Sequence, residues 1–348
     1  MGKKLFDFCI GNPPYQQESV GANANDTPVY HYFYDAAFDI ANKIELISPA
    51  RFLFNAGGTP KEWNEKMLGD NHTKILSYES DSSKIFSNTA INGGVAIIYR
   101  DSTSNFTPIG VFTIYSELNS ILNKVQQISK ESLMDLVTNR GLYKYSDLAY
   151  KEEHDEMTKT ADRRIAPSAF ERMPKLFKII KPEDGKEYIR IYGNLKNERV
   201  FRWLRKDYIV PVENLDRYKV FISKADGAAG QLGKPVPARI TGKPIVMEPG
   251  VGCTETYITI GETKNREEAE TISKYLMTKF ARTMVGILKV TQNYAKPTWK
   301  YVPLQDFTSS SDIDWSKSIH EIDLQLYKKY GLNQEEIDFI EKNVKEMA

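Results

Sequence analysis

The distribution of apolar and polar residues over the first hundred positions predicts strands that alternate with helices. Residues 6–11 alternate in polarity and predict a short buried strand. Further strands are predicted at residues 43–49, 72–78 and 93–99. Thr27 and Pro28 have the residue types of a helix N-cap and first helical position, and a second helix is predicted after Pro60. This order favours an α/β fold with a mostly parallel sheet.

The pattern changes after about residue 100. Residues 111–136 recur at the spacing of an amphipathic helix, and later strands are short, with basic and aromatic residues interleaved. At the C-terminus a helix pair is predicted, with Asp312 and Asp314 as caps, Gly331 ending the first helix and Asn333 starting the second. The predicted domains are an α/β domain, connecting helices, an α+β domain and C-terminal helices, at residues 1–110, 111–138, 139–310 and 311–348.

Composition limits the possible functions only weakly. The 348 residues are 41% hydrophobic, and 47 basic against 46 acidic residues give a net charge of +1, so any nucleic-acid surface must come from local clusters of charge. Two cysteines and four scattered histidines predict neither a disulfide framework nor a zinc site. We expect a cytoplasmic, metal-free protein, because no apolar run predicts a membrane span or a signal peptide.

Candidate chemistry begins where the first strand ends, at Asn12-Pro13-Pro14-Tyr15. Two successive prolines remove two backbone N–H donors and leave a rigid row of carbonyl acceptors. The Asn12 side-chain oxygen and the Pro13 carbonyl can accept two hydrogen bonds from one planar –NH2 group, and Tyr15 offers an aromatic face for its ring. The tetrapeptide therefore suits a substrate with a flat exocyclic amine.

Asn-Pro-Pro-Tyr after a strand resembles the catalytic motif of S-adenosylmethionine-dependent methyltransferases that modify amino groups, most often N6 of adenine in DNA. The predicted strands are similar to the second half of the Rossmann-like core of these enzymes. The resemblance implies that Asn12, Pro13, Pro14 and Tyr15 are catalytic. It also implies that Phe86, which precedes the last predicted strand, stacks with Tyr15 on the base; packing in a core is the alternative for Phe86.

The same family binds S-adenosylmethionine through two motifs that precede Asn-Pro-Pro-Tyr, and only eleven residues precede Asn12 here. Residues 245–252 resemble a strand with a glycine-rich turn, but a strand rather than a helix is predicted to follow. We therefore expect the cofactor-binding half to come from a partner chain or from a preceding part of the polypeptide. A half sheet of this kind is expected to expose an apolar edge.

The region from Tyr143 to Met347 resembles the target-recognition domain of Type II restriction-modification methyltransferases, in the gamma class with Asn-Pro-Pro-Tyr. Its elements include strands near residues 219–224 and 253–257, a helix at 267–280 and the C-terminal helix pair. The resemblance implies binding to double-stranded DNA, with any nuclease lying elsewhere. The residues expected to contact DNA are basic or amide side chains, namely Arg163, Arg164, Lys196, Arg199, Arg202, Lys224, Asn293 and Lys296.

The sequence thus predicts a partial Rossmann-like sheet, an α+β target-recognition domain and a C-terminal helix pair. The predicted function is site-specific adenine-N6 methylation of DNA in a restriction-modification system, with the cofactor-binding half absent. Two alternatives stay open at this point. One is a noncatalytic DNA-recognition subunit, and the other is a methyltransferase that acts on protein glutamine.

Overall fold

The computed structural model describes residues 4–17, 27–54, 58–87, 91, 93–226, 231–289 and 291–347. Most of a polar loop predicted at residues 16–26, and a small-residue loop predicted at 227–230, lie outside these ranges. The chain divides into two compact units, Met1–Asn119 and Ser120–Ala348, which we describe separately.

A four-stranded sheet with helices on one face forms the first unit. Its elements are β1 (Phe6–Gly11), β2 (Gln16–Gln17), β3 (Thr27–Pro28), α1 (Tyr30–Ile40), β4 (Ala41–Pro49), α2 (Lys61–Gly69), β5 (Thr73–Glu79) and β6 (Val95–Asp101). The strand order is β1-β4-β6-β5, and β2 pairs with β3 in a separate two-stranded ribbon. The four predicted strands are all present, so the sequence located them correctly.

The strands of this sheet run mostly in one direction. β1 is parallel to β4, whereas β6 is antiparallel to both β4 and β5. β1, β4 and β5 therefore point the same way, and β6 runs against them. The prediction of a mostly parallel sheet is correct for strand direction but wrong for pairing, because insertion of β6 between β4 and β5 makes two of the three pairings antiparallel.

Helices α1 and α2 cover the buried face of the sheet. Tyr30, Tyr34 and Ala37 of α1 pack with Trp63 and with the apolar residues of β4 and β6 in one core. Phe33, which helical spacing placed on the buried face, is 43% exposed. The helix also begins later than expected: Val29 is its N-cap, so the prediction of Thr27 as N-cap and Pro28 as first helical residue was wrong. Both residues instead form β3, which pairs with β2.

Strand β1 lies at the edge of the sheet and is exposed, which corrects the prediction of a buried strand. Its alternation directs Phe6, Phe8 and Ile10 to one face, where they are 57%, 63% and 75% exposed. Lys43 of β4 lies beside Phe8 on this face, with its Nζ 5.5 Å from the ring centroid. Since no described residue covers this stripe or pairs with the outer side of β1, the expected apolar edge is confirmed for the described residues.

The second unit contains two three-stranded sheets and most of the helices. Helix α3 (Ser116–Ile128) spans the boundary between the units. The elements that follow it are α4 (Asp147–Glu152), α5 (His154–Met157), α6 (Ala169–Arg172), β7 (Tyr188–Leu195), β8 (Glu198–Arg205), β9 (Tyr218–Ser223), β10 (Ile245–Met247), β11 (Val251–Cys253), β12 (Tyr257–Thr263), α7 (Arg266–Met277), α8 (Lys279–Leu288), α9 (Ile319–Lys329) and α10 (Gln334–Asn343). The sheet orders are β10-β9-β12 and β11-β7-β8. Across the described residues, no helix combines the length and apolar content needed to cross a bilayer.

Several boundaries differ from the prediction in this unit. The helix predicted over residues 111–136 is shorter, because α3 ends at Ile128. The helix predicted at 267–280 is divided at Thr278, which is the N-cap of α8. Ser318, rather than Asp312 or Asp314, caps α9, since its hydroxyl accepts the Glu321 N–H. Asn333 caps α10 as predicted, and Gly331 has the positive φ expected after α9.

Gly94 provides a test of the packing at the start of β6. Its φ is +76°, and a Cβ at this position would lie 2.3 Å from the backbone oxygen of Glu79. We therefore expect Gly94→Ala to destabilise the first unit by about 2 kcal/mol or more, because the backbone cannot move away without loss of the β5–β6 pairing. Urea denaturation, with hydrogen exchange of β5 and β6 as a local probe, measures this effect.

Gly69→Ala is the matched control, because no atom lies within 4 Å of the added Cβ. It should not lower stability. A Gly94→Ala protein as stable as the wild type would contradict the close approach.

Candidate functional site

The carboxyl ends of β1, β4 and β5 lie at the same edge of the first sheet, because the three strands point in one direction. Asn12 follows β1 directly, and residues 80–87 leave the end of β5. In open α/β sheets this edge is where ligands bind. The fold thus brings the predicted catalytic segment and the segment that carries Phe86 to the same edge of the first sheet.

The tetrapeptide itself is partly accessible. Asn12 and Pro14 are exposed, whereas Pro13 and Tyr15 are half-buried. The Tyr15 carbonyl accepts a hydrogen bond from the Val29 N–H at 3.1 Å, and the β2–β3 ribbon continues this pairing. These backbone bonds hold Tyr15 against the start of α1 and leave the Asn12 side chain toward solvent.

Phe86 lies in contact with Tyr15. Their ring centroids are 6.3 Å apart, with an interplanar angle of 65°, so the contact is edge-to-face. The Phe86 N–H donates to the Ser82 carbonyl at 2.8 Å, which fixes the backbone of this segment. A base held between two parallel rings needs one of these rings to rotate. The stacking role of both residues therefore stays a prediction.

Two tyrosine hydroxyls near the motif are buried without a hydrogen-bond partner among the described residues. One belongs to Tyr15: burial raises its pKa, and the neighbouring Asn12 side chain opposes part of that shift. The other belongs to Tyr30, whose pKa burial raises to about 12, while Thr59 and Arg51 oppose the rise. Buried polar groups are usually paired, so the two hydroxyls are exceptions in the packing around the motif.

The sequence favoured a core position for Tyr30, and its 2% exposure confirms this. Its position at the start of a helix rich in tyrosine gave no signal that its hydroxyl would lie unpaired. By contrast, the Tyr34 hydroxyl is satisfied by the Leu46 carbonyl at 3.3 Å and by Ser48 at 3.0 Å. The difference between the two tyrosines depends on tertiary packing against β4.

In the second unit, one group of the predicted DNA-contacting residues lies on the β7–β8 hairpin. Lys196 and Asn197 form its turn, both with positive φ, and Arg199 is exposed on β8. The Arg202 guanidinium lies 6.0 Å from the Phe170 ring centroid and donates to the Phe201 carbonyl. The hairpin therefore presents cations on an ordered scaffold that is paired along its length.

A second group surrounds the carboxylate of Glu255. Arg164 Nη1 lies 3.0 Å and Arg140 Nε 3.4 Å from this carboxylate. Burial lowers the pKa of Lys224; Arg140 lowers it further and Glu255 opposes this, although Lys224 forms no ion pair with a described residue. The sequence analysis gave no signal for Glu255, which limits how far Arg140 and Arg164 are available for phosphate.

Asn293 and Lys296 lie close to this cluster in space. Asn293 forms an isolated backbone bridge with Ala225, next to Lys224. Lys296 and Arg140 line one cavity of about 420 Å³. The structure thus brings Lys224, Asn293 and Lys296 into one region of the second unit.

Ion pairing separates the predicted DNA-contacting cations into two classes. Arg163 is paired with Asp147 at 2.5 Å, and Arg164 is paired with Asp162 as well as Glu255. No described residue forms an ion pair with the members of the other class, which are Lys196, Arg199, Arg202, Lys224 and Lys296. This second class is available for anionic ligands.

The turn considered as a displaced cofactor site does not have the required form. β10 ends at Met247, and the turn with Gly250 at φ +78° leads into β11. A strand rather than a helix follows the turn, so it does not lead into the helix that a cofactor loop of this family precedes. Among the described residues there is also no group of three or more His, Cys, Asp or Glu side chains that could hold a metal ion.

Comparison with known proteins gives one family match. Residues 1–86 match the family described as Eco57I restriction-modification methylase. No curated protein matches the chain. Among solved structures, the chain is similar to the Type IIL restriction-modification enzyme MmeI in complex with DNA, with 12% identity and a TM-score of 0.33. This alignment covers 96% of the present chain and 56% of MmeI, so the chain spans just over half the length of that enzyme.

The unpaired Tyr15 hydroxyl predicts an unusual response to mutation. Tyr15→Phe should raise the free energy of unfolding by about 1 kcal/mol, because it removes a buried polar group that lacks a partner. Tyr34→Phe is the matched control and should lower the stability by about 1 kcal/mol, since that hydroxyl makes two hydrogen bonds. Urea denaturation of both variants tests this expectation, and equal losses for the two would contradict it.

Proposed function

We propose that this chain carries the substrate-holding part of a site-specific DNA adenine-N6 methyltransferase of a restriction-modification system, together with its DNA target-recognition domain. One observation supports this most directly. Asn12-Pro13-Pro14-Tyr15 lies at the carboxyl end of a parallel strand beside Phe86, inside the segment that matches restriction-modification methylases. Adenine in DNA is the proposed substrate because its exocyclic amine suits the acceptors of this motif.

In the proposed reaction the chain's own residues hold the amine. The Asn12 side-chain oxygen and the Pro13 carbonyl accept hydrogen bonds from the two N–H groups of the amine, which directs the nitrogen lone pair away from the motif. Tyr15 packs on the base, with Phe86 beside it. The adenine is rotated out of the duplex to reach this position, at a cost of a few kcal/mol. Catalysis by these residues is therefore mainly a matter of positioning.

The cofactor implied by a methylase is S-adenosylmethionine, and the described residues do not provide a fitting site for it. The turn after β10 leads into a strand, and β1 has no neighbour on its outer side. We propose that a further strand, from a partner chain or another part of the polypeptide, pairs with β1 and covers Phe6, Phe8 and Ile10. That additional part would supply the cofactor site.

A noncatalytic recognition subunit is the second candidate, and the free edge of β1 favours it for the chain alone. Calorimetry with S-adenosylmethionine distinguishes the two possibilities when it is run with and without candidate partner proteins. Binding that depends on a partner supports a divided enzyme, whereas no binding in any combination supports the noncatalytic role. Methylation of a protein glutamine is less favoured, because the unpaired cations of the second unit suit a polyanion.

Asn12→Ala tests directly whether the Asn12 side chain holds the amine of the substrate. In the complete enzyme it should lower the methylation rate by about a hundredfold or more, as expected when one positioned hydrogen-bonding group is lost. Its affinity for duplex DNA should be unchanged. Transfer of a radiolabelled methyl group to DNA measures the rate, and fluorescence anisotropy measures the affinity.

Asn105→Ala is the control for this variant, because Asn105 follows β6 at the opposite end of the sheet and is exposed. It should methylate at the wild-type rate. Wild-type turnover by Asn12→Ala would exclude the proposed role of the motif.

The basic side chains without an ion pair predict how the affinity for duplex DNA depends on salt concentration. If Arg199 contacts a phosphate, Arg199→Gln should reduce the slope of log K against log salt concentration by about 0.9. Arg266→Gln should leave the slope unchanged, because Arg266 is already paired with Glu248 and Glu270. Anisotropy titrations of labelled duplex at several salt concentrations give these slopes, and identical slopes for all three proteins would rule out a phosphate contact by Arg199.

A further inference from the structure

Two adjacent isoleucines in the second unit are exposed to an unusual degree. Ile179 is 75% and Ile180 is 80% exposed, so they rank with Leu5 and Ile10 of the β1 region among the most exposed large apolar residues described. Single apolar residues on a surface are common, and the contiguity of these two sets them apart from such residues.

The isoleucine pair is held outward by the residues on both sides. Leu176 and Phe177, which are separated from the pair only by Lys178, are buried in the core of the unit. Lys178 and Trp203 of β8 then exchange backbone hydrogen bonds, each N–H donating to the other's carbonyl at 2.8 Å. Pro182, two residues after Ile180, has a backbone φ angle that is fixed by its ring. The two side chains therefore form an ordered tip that cannot fold back onto the core without breaking these contacts.

The surroundings of this tip are basic. Lys175, Lys178 and Lys181 are exposed, and none forms an ion pair with a residue that the structure describes. The Lys181 ammonium lies 5.7 Å from the centroid of the Trp203 ring, so it stays beside β8. Acidic residues begin only after Pro182, and the first well-anchored one, Asp184, accepts hydrogen bonds from Lys186 and Tyr188.

The tip is also joined to the hairpin that carries the unpaired cations. The Lys178–Trp203 bridge connects it to β8, which includes Arg199 and Arg202. An apolar tip between ammonium groups is complementary to duplex nucleic acid, in which the phosphates are at the rim and the apolar base faces are inside. Two isoleucines offer at most a few hundred Å² of apolar area, well below that of a stable protein–protein interface.

We propose that Ile179 and Ile180 form a wedge that enters the DNA base stack and separates two neighbouring bases, while Lys178 and Lys181 contact the flanking phosphates. This inference rests on the proposed function, because it requires that the chain binds duplex DNA. The wedge opens the stack and lowers the cost of rotating the target base out of the duplex.

The test uses the full chain and two labelled duplexes that differ only in a central abasic position. An abasic step is already partly unstacked, so a wedge protein binds it more tightly. We expect the wild type to prefer the abasic duplex by about tenfold, since unstacking costs a few kcal/mol and part of it is recovered. The double variant Ile179→Ala/Ile180→Ala should lose this preference and keep the salt slope. Leu324→Ala, a control at a 47% exposed leucine on α9, should keep both.

A second variant separates the lysines from the wedge. Lys178→Gln/Lys181→Gln should lower the salt slope on both duplexes and keep the preference for the abasic duplex. A double isoleucine variant that retains the preference, or a wild type that never shows one, would overturn the wedge. If sedimentation shows that the isoleucine variant loses a dimer while DNA binding is unchanged, the tip contacts a second copy and the inference is wrong. Absence of binding to either duplex would contradict the proposed function itself, and the wedge with it.

Discussion

The parallel pairing of β1 with β4 is the constraint that determines where the candidate chemistry lies. It places the end of β1 at the same edge as the ends of β4 and β5, and the segment after β5 then reaches Tyr15 with Phe86. An antiparallel β1 would direct Asn12 to the opposite end of the sheet. The backbone bond between Val29 and Tyr15 adds a second restraint, so the tetrapeptide is fixed from the strand before it and from the helix after it.

Local pattern was sufficient to locate the strands of the first sheet and the Asn-Pro-Pro-Tyr segment that follows the first of them. Alternation identified the first strand, because it reflects the pleat itself, and short apolar runs bounded by turn residues identified the other three strands of the first sheet. It did not determine which strand is buried. β1 alternates like a core strand, yet Phe6 and Phe8 are exposed, since burial depends on what lies against a face and not on the strand's own sequence. The helix start at Thr27 was misassigned for a related reason, because pairing with Gln17 in the β2–β3 ribbon outweighed the local helix signal.

The sequence predicted even less well which basic side chains are paired with carboxylates. The adjacent Arg163 and Arg164 look like the strongest phosphate-binding pair in the chain, but each is neutralised by a carboxylate, partly through the long-range contact with Glu255. Arg199 and Lys224 gave no stronger signal, yet they form no ion pair with described residues. A net charge of +1 thus conceals two classes of cation, and the three-dimensional positions of the acidic residues decide which cations can meet a polyanion.

The β7–β8 hairpin has a consequence for how this protein can diverge. Its eight pairs run without a bulge from Tyr188 and Arg205 to Leu195 and Glu198, and its turn is made by two residues, Lys196 and Asn197. Outward side chains on such a ladder can change without moving the register, and an exposed turn tolerates insertions. Selection for new ligand preferences can therefore act on the hairpin while the underlying core, with Ile189, Ile191 and Leu204, remains unaltered.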